Sequence, residues 1–502
     1  MARRALAALA AALTCGGALA EERVGEFDGH GDVGSPKLAG SATYNGASQE
    51  YALSAGGANM WGARDEFHFL WKRLRGDFIV QARAEFAGQG VDPHRKLGWI
   101  ARTSLDAGSP YVDAAVHGDG LTSLQFRRAA GGATEELRAA VKGADVIQLE
   151  RRGNRYLFSA ARFGEPFTTS DIAELPLGEE LHVGLFLCSH NADVVERAVF
   201  RDVRITRPVK EGFTPYRDYL GSRLEVLDVA TGRRQLLQSS AEPFEAPNWT
   251  KDGGALIYNI SGRGERRGRL SRFDLLTRQA SLIDTGAAVR NNNDHVLSFD
   301  GKQLGISSSE DGGSTVFTLP VEGGTPTRVT RLVPSYLHGW SPDGKFLVYT
   351  GGRGGEFDIY KIAADGTGNE IRLTDTKGLD DGPEYTPDGR YIYFNSVRSG
   401  SMQIWRMKPD GRDPEQLTND EYNNWFPHIS PDGRFIAFLS YSQDVKPADH
   451  PYYKHVYLRL MPASGGAARV IAYVYGGQGT INVPSWSPDG TMLAFVSNSE
   501  IP

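Results

Sequence analysis

The chain has 502 residues, 40% of them hydrophobic and 23% charged, with a formal charge of −6. That composition excludes a disordered chain, and an acidic balance with no basic tail argues against duplex nucleic acid as a partner. No stretch beyond residue 20 approaches the ~20 apolar residues of a membrane span, so the protein is not expected to be membrane-embedded. Sixty glycines and 25 prolines fit a chain with many turns.

Residues 1–20 have the form of a bacterial export signal. Arg3 and Arg4 form a positive segment, Ala5 to Leu13 a short apolar core, and Ala18-Leu19-Ala20 a small-x-small cleavage site before Glu21. A periplasmic or secreted location follows. Thr14 before Cys15 argues against lipidation. Cleavage leaves Cys188 alone inside the apolar run Val183 to Cys188, where it reads as a small buried hydrophobe with no disulfide partner.

Residues 21–208 carry short alternating strands, such as Phe78 to Ala82 and Arg155 to Phe158, and predict a jelly-roll β-sandwich. Lys96 to Arg102, Tyr111-Val112-Asp113 and Phe200 to Ile205 resemble segments of concanavalin/laminin-G-type domains. Such domains are often appended to secreted carbohydrate-active enzymes. Three polar clusters stand out: Asp92 to Lys96, His117 to Gly120 and Ser189 to Asn191. Turn chemistry explains them, and so does a calcium ion or a sugar hydroxyl. A linker is expected over 209–221.

The rest of the chain, 222–502, is a repeat. Asp-Gly pairs recur at Asp252, Asp300, Asp343, Asp388, Asp432 and Asp489, with spacings of 48, 43, 45, 44 and 57 residues. That is the period of four-stranded propeller blades. Each turn precedes an alternating strand, for example Phe346 to Tyr349 and Tyr391 to Phe394. The last unit lacks its outer strands, while Leu224 to Leu227 and Arg233 to Leu237 form a pair with no unit of their own. Strands within 222–237 should therefore close a six-bladed ring, which removes exposed sheet edges. The motifs Trp340-Ser341-Pro342-Asp343-Gly344 and Trp486-Ser487-Pro488-Asp489-Gly490 resemble the TolB-type six-bladed β-propeller. The overall expectation is an all-β chain, a sandwich followed by a propeller.

Propellers bind at the mouth of the central channel, where side chains of all blades converge. Five residues before each turn aspartate lie Pro247, His295, His338, Pro383, Pro427 and Pro484; four before lie Asn248, Val296, Gly339, Glu384, His428 and Ser485. His295, His338, Glu384 and His428 are thus candidate catalytic residues, flanked by Asp294 and Asp381. The three histidines are candidate ligands for a divalent metal such as manganese, calcium or zinc. The four groups also suit acid/base work without metal, or a hydrated channel lining. Adjacent strand positions face opposite ways, so His295 and His338 need not point with Glu384 and His428.

The long fifth spacing reflects extra chain at Gln443 to Lys454 and Tyr475 to Thr480, which predicts a loop wall beside the mouth. Asn248, Lys446, His450, Lys454, Gln478 and Asn482 complete the expected ligand-binding set. Asp294 to Gly301 and His338 to Gly344 resemble the His-x-x-Ser-x-Asp-Gly and His-x-Trp-Ser-x-Asp-Gly segments of oligogalacturonate lyases. That resemblance implies a manganese-type site and β-elimination on acidic sugars. Three functions stay open: binding of a polar, carbohydrate ligand, a carbohydrate lyase or hydrolase, and a protein-docking scaffold in the envelope.

Overall fold

A computed structural model describes residues 23–172, 174–309 and 312–501. The export-signal residues, Cys15 included, lie outside them. Every regular element among the described residues is a strand, and no helix is long and apolar enough to cross a membrane.

The first half is a sandwich of two seven-stranded antiparallel sheets. Strands Phe67–Arg75, Lys96–Arg102, Tyr111–His117 and Glu180–Cys188 belong to one sheet; Phe78–Phe86, Val146–Arg152, Arg155–Ala161 and Glu196–Thr206 belong to the other. Alternation sends Trp99, Leu185, Phe78, Tyr156, Phe158 and Phe200 into the shared core. Cys188 is buried and free.

The second half is a ring of six antiparallel sheets. Five have four strands, and their innermost strands are Phe244–Trp249, Asn291–Leu297, Ser335–Trp340, Asp380–Tyr385 and Asn423–Ile429, which define blades one to five. Blade six joins both ends of the propeller sequence. Gly221–Asp228 pairs with Met492–Ser499 on one side and with Arg234–Ser240 on the other. Residues 481–486 supply its inner edge, with Trp486 bridging to Leu493.

The repeat has a physical cause at its turns. In all six, a Ser or Thr hydroxyl (Thr250, Ser298, Ser341, Thr386, Ser430 and Ser487) donates to the Asp two residues on, at 2.6–2.7 Å. The following glycine takes a left-handed φ of 70–73°, a region that costs other residues steric strain. Trp340 and Trp486 reach the preceding blade, donating to the carbonyls of Val296 and His428 at 3.0 and 2.9 Å.

The sandwich is docked on the ring. Glu225, fully buried, accepts from both Arg204 of the sandwich and Arg234 of blade six. The Gln49 amide forms a reciprocal pair with the Leu236 backbone, both bonds 2.9 Å. On blade five, His455 meets Glu150 at 2.9 Å and the Tyr473 hydroxyl donates to the Glu165 carbonyl at 2.6 Å. Val146 and Ala161 pack there against Val470 and Tyr473.

Candidate functional site

Each innermost strand of blades one to five carries a register shift, so the side chains on either side of it aim differently. In blade three the shift falls between Leu337 and Gly339, and His338 is the residue left without a pairing partner. Its ring Nε2 reaches Asp381 Oδ1 of blade four at 3.3 Å and Asp294 Oδ1 of blade two at 3.9 Å. Three blades thus meet at one imidazole.

Both aspartates are held from behind. The Thr350 hydroxyl and the Gly382 N–H donate to Asp381 Oδ1 at 2.6 and 2.8 Å. The Asn482 amide donates to Asp294 Oδ1 at 2.8 Å. Burial opposes charge on all three groups, but they resolve it differently. His338 is pulled down by burial and pushed further up by Asp381 and Asp294, ending above the ordinary range. Burial raises Asp381, yet His338 outweighs it and holds the carboxyl at about 2. At Asp294 burial wins over His338 and lifts the carboxyl to about 6.

Glu245 of blade one extends the constellation. It accepts from the Tyr452 hydroxyl at 3.1 Å and from the Asn293 amide at 3.4 Å. Burial, with Asp294 nearby, lifts it to about 7 against those two hydrogen bonds. Gly479 lies so close that a Cβ there would fall 2.4 Å from the Glu245 carboxylate. The expected loop wall is present, but aromatic residues build it. Tyr452 reaches Glu245, and the linker's Tyr216 packs edge-on against Tyr452 at 5.7 Å. The His450 ring lies over Trp425 at 4.4 Å and edge-on to Phe426 at 5.7 Å, while Phe426 stacks on His338 at 6.1 Å. Lys446 and Lys454 are exposed.

The four candidates, each in the second half of its innermost strand, do not form one cluster. His295 follows its register shift, pairs with Ile306 and donates from Nε2 to the Ile257 carbonyl of blade one at 3.2 Å. Burial pushes it down to about 4, so it stays neutral. Glu384 and His428 form their own pair at 2.7 Å; Glu384 also accepts from the Ile429 N–H at 3.0 Å, and His428 Nε2 is taken up by the Ile481 carbonyl. Asn248 donates to the Pro484 carbonyl, joining blades one and six. Gln478 lies on the loop beside Gly479, with a buried side-chain oxygen that has no protein partner.

This arrangement does not fit the divalent metal implied by the lyase resemblance. His428 spends both ring nitrogens on the Glu384 carboxylate and the Ile481 carbonyl, and His295 spends Nε2 on the Ile257 carbonyl, its Nδ1 being buried without a hydrogen-bond partner. Among the described residues no three His, Cys, Asp or Glu side chains are placed to hold a metal together. What the mouth offers instead is a ring of oxygen acceptors around a single imidazole.

Glu245 and Asn293 were missed by counts of four and five residues. A count of seven before the turn aspartate collects Glu245, Asn293, Tyr336, Asp381, Trp425 and Asn482, a mostly polar set where a blade edge needs none. In the sandwich, the three polar clusters do meet. The His94 ring lies 6.5 Å from His117 and 5.4 Å from His190, and His190 Nδ1 is 3.4 Å from Asp92.

Residues 334–499 match the sequence profile of the TolB beta propeller domain. The uncharacterized protein Atu1656 of Agrobacterium fabrum is 45% identical over 277 residues, 55% of this chain and 92% of its own length. A solved structure from Agrobacterium tumefaciens, described as a TolB candidate, is 44% identical with a TM-score of 0.53, covering 57% of this chain and 100% of its own. TolB from Acinetobacter baumannii is 20% identical with a TM-score of 0.41, over 51% of this chain and 64% of its own.

Proposed function

The chain belongs to the TolB-type β-propeller family, and from that premise we propose that it is an exported protein that binds a polar oligosaccharide at the channel mouth. The observation that carries this reading is His338 held between Asp294 and Asp381, three side chains from three blades. Carboxylates, the amides of Asn293 and Asn482 and the Tyr452 hydroxyl suit sugar hydroxyls. Export rests on the signal-like residues 1–20, and the mature chain would begin at Glu21.

Titration calorimetry against a panel of neutral, basic and acidic oligosaccharides tests the reading. Binding by the mature protein, lost in His338→Ala with the fold retained, is the expected result. A protein that ignores the whole panel, or an unimpaired His338→Ala variant, sinks it and favours a protein-docking role.

A further inference from the structure

Resting on the mouth reading above, we infer that Tyr216 of the linker is the aromatic platform on which a sugar ring of the ligand lies, so that the segment joining the two domains is part of the binding site. Tyr216 is 66% exposed, the most of any Phe, Tyr or Trp among the described residues. Its ring is nevertheless fixed beside the mouth. It lies edge-on to Tyr452 at 5.7 Å, and the Tyr452 hydroxyl donates to Glu245. Partial burial, then Asp449 and Glu245, raise the Tyr216 phenol above its ordinary value, so the ring stands within electrostatic reach of Glu245.

A closed turn presents the ring. The Thr214 N–H donates to the Asp218 carboxylate at 2.9 Å, and the Asp218 N–H donates to the Thr214 carbonyl at 2.9 Å. Within that turn Tyr216 takes a left-handed φ of 61°, a region that a bulky side chain enters only at a cost in strain. Phe213, edge-on to Tyr453 at 5.2 Å, and the Leu220 N–H, bonded to the Tyr453 hydroxyl at 3.0 Å, pin the linker to the blade-five loop on both sides of the turn. For folding alone, glycine or asparagine would serve better at this φ. Nor does the Tyr216 hydroxyl explain the choice: among the described residues, Tyr216 enters hydrogen bonding only through its carbonyl, which accepts from Tyr219 at 2.9 Å. The ring itself is left as the reason.

There is also room beside it. A cavity of about 320 Å³ runs along the linker, lined by Phe213, Asp218 and Tyr219 and by Ala241, Glu500 and Ile501 of the propeller. That is the lower end of ligand-sized pockets, about 300–1,000 Å³. Ala241 leads into Phe244–Trp249, the strand that carries Glu245. A sugar ring has a face of C–H groups and a rim of hydroxyls. The face suits the Tyr216 ring, and the rim suits the Glu245 carboxylate, the Tyr452 hydroxyl and the Asn293 amide.

Calorimetry on the full mature protein tests this with the tetramers of glucose, glucosamine and galacturonate, the tetramer bound most tightly being carried to two variants. Tyr216→Asn tolerates the left-handed φ but lacks the ring; it should bind roughly tenfold more weakly without lowering the melting temperature. Tyr216→Phe keeps the face and should bind as the parent does. Parent-like binding by Tyr216→Asn, with His338→Ala inactive, overturns the platform and leaves the mouth reading standing. A Tyr216→Phe variant as weak as Tyr216→Asn also overturns it, because the hydroxyl and not the face would then be in use. Weaker binding together with a lower melting temperature in Tyr216→Asn overturns it in favour of a role in folding. A protein that ignores all three tetramers defeats both readings.

Discussion

The Arg204 guanidinium donates two hydrogen bonds to Glu225 Oε2, at 3.0 and 2.6 Å, and so joins the last sandwich strand to the strand that closes the ring. Glu225 is fully buried, and Arg234 and Ser497 fill its other oxygen. Burial alone would raise this carboxyl, but the two guanidinium groups hold it far below the usual range. Sandwich and propeller are therefore joined by a charge network, not merely by a connecting segment.

Arg204→Ala should cost roughly 3 kcal/mol, the order found when one partner of a buried ion pair is removed. Urea unfolding would measure it. The network also fixes a pH dependence. Because the folded carboxyl of Glu225 is depressed, its stabilisation is complete above the unfolded value near 4.3 and is lost as pH falls below it. Glu225→Gln should lower stability at pH 7 and flatten the decline below pH 4. An unchanged acid limb in that variant would assign the decline to other carboxylates.

The mouth predicts the opposite slope. Asp294 and Glu245 are raised to about 6 and about 7, so each binds a proton more readily folded than unfolded. Their ionisation destabilises the fold as pH rises from about 4 through those values. His338, also raised, gives stability at low pH that fades in the same direction. Asp294→Asn and Glu245→Gln should therefore raise the melting temperature at pH 8 and change it little at pH 4.5. At roughly 1.4 kcal/mol per pKa unit, the gain is of the order of 3 kcal/mol for Asp294→Asn and somewhat more for Glu245→Gln. Melting curves across pH 4–8 decide it, and a destabilised variant at pH 8 would count against strained carboxylates.

The glycine of each repeat turn offers a cleaner test of local strain. At Gly344 and Gly433, with φ near 72°, a Cβ would meet nothing within 4 Å, whereas at Gly301 it would lie 2.5 Å from the Lys251 side chain. Gly433→Ala should thus cost only the left-handed penalty, about 1–2 kcal/mol. Gly433→Asn should cost less, since Asn tolerates that region. Equal losses for Ala and Asn would mean that something other than φ is being measured.

Ring closure sets a further expectation. Gly221–Asp228 covers the edge of Met492–Ser499 along eight paired residues, Gly221 with Ser499 through Asp228 with Met492. Inserting a protease site at Thr231-Gly232, between the two closing strands, and cutting there should leave a monomer, because both strands stay paired. Deleting residues 221–240 should expose the edge and produce oligomers on size-exclusion chromatography. A deletion variant that remains monomeric and melts as the parent does would defeat the closure argument.

Which features were legible in the sequence follows from what each one depends on. Blade number and closure could be read because the Ser/Thr-Pro-Asp-Gly turn is a local device whose hydrogen bonds lie within five residues. Side-chain aim could not, because it depends on where each inner strand bulges. His295 and His338 hold the same place relative to their turns, yet His338 is the unpaired bulge residue and His295 lies beyond its bulge. Prolines mark a third variant: Ala246, Gly382 and Phe426, each before a proline, take positive φ. Glu245, partnered by Tyr452 some 207 residues away, is a tertiary product that no local pattern announces.

That difference between two histidines gives the last prediction. His295 is wholly buried between blades and bonded to the Ile257 carbonyl, so it should matter to folding and not to ligand. His295→Ala should cost about 2–4 kcal/mol, from a lost hydrogen bond and the cavity left behind. His295 is also depressed to about 4. A base held below its unfolded value near 6.5 is most favourable above that value and loses its contribution as pH falls toward 4. The wild type should therefore lose stability between pH 6.5 and 4 in a way that His295→Phe does not. His338 differs in its bearing on ligand: His338→Ala leaves the buried Asp381 without its partner and should cost about 3 kcal/mol as well, but of the two variants it alone should abolish ligand binding. Chemical denaturation of the two variants, run beside calorimetry with the oligosaccharide that binds best, separates the roles. If His295→Ala keeps full stability yet loses binding, the bulge does not direct these side chains as argued.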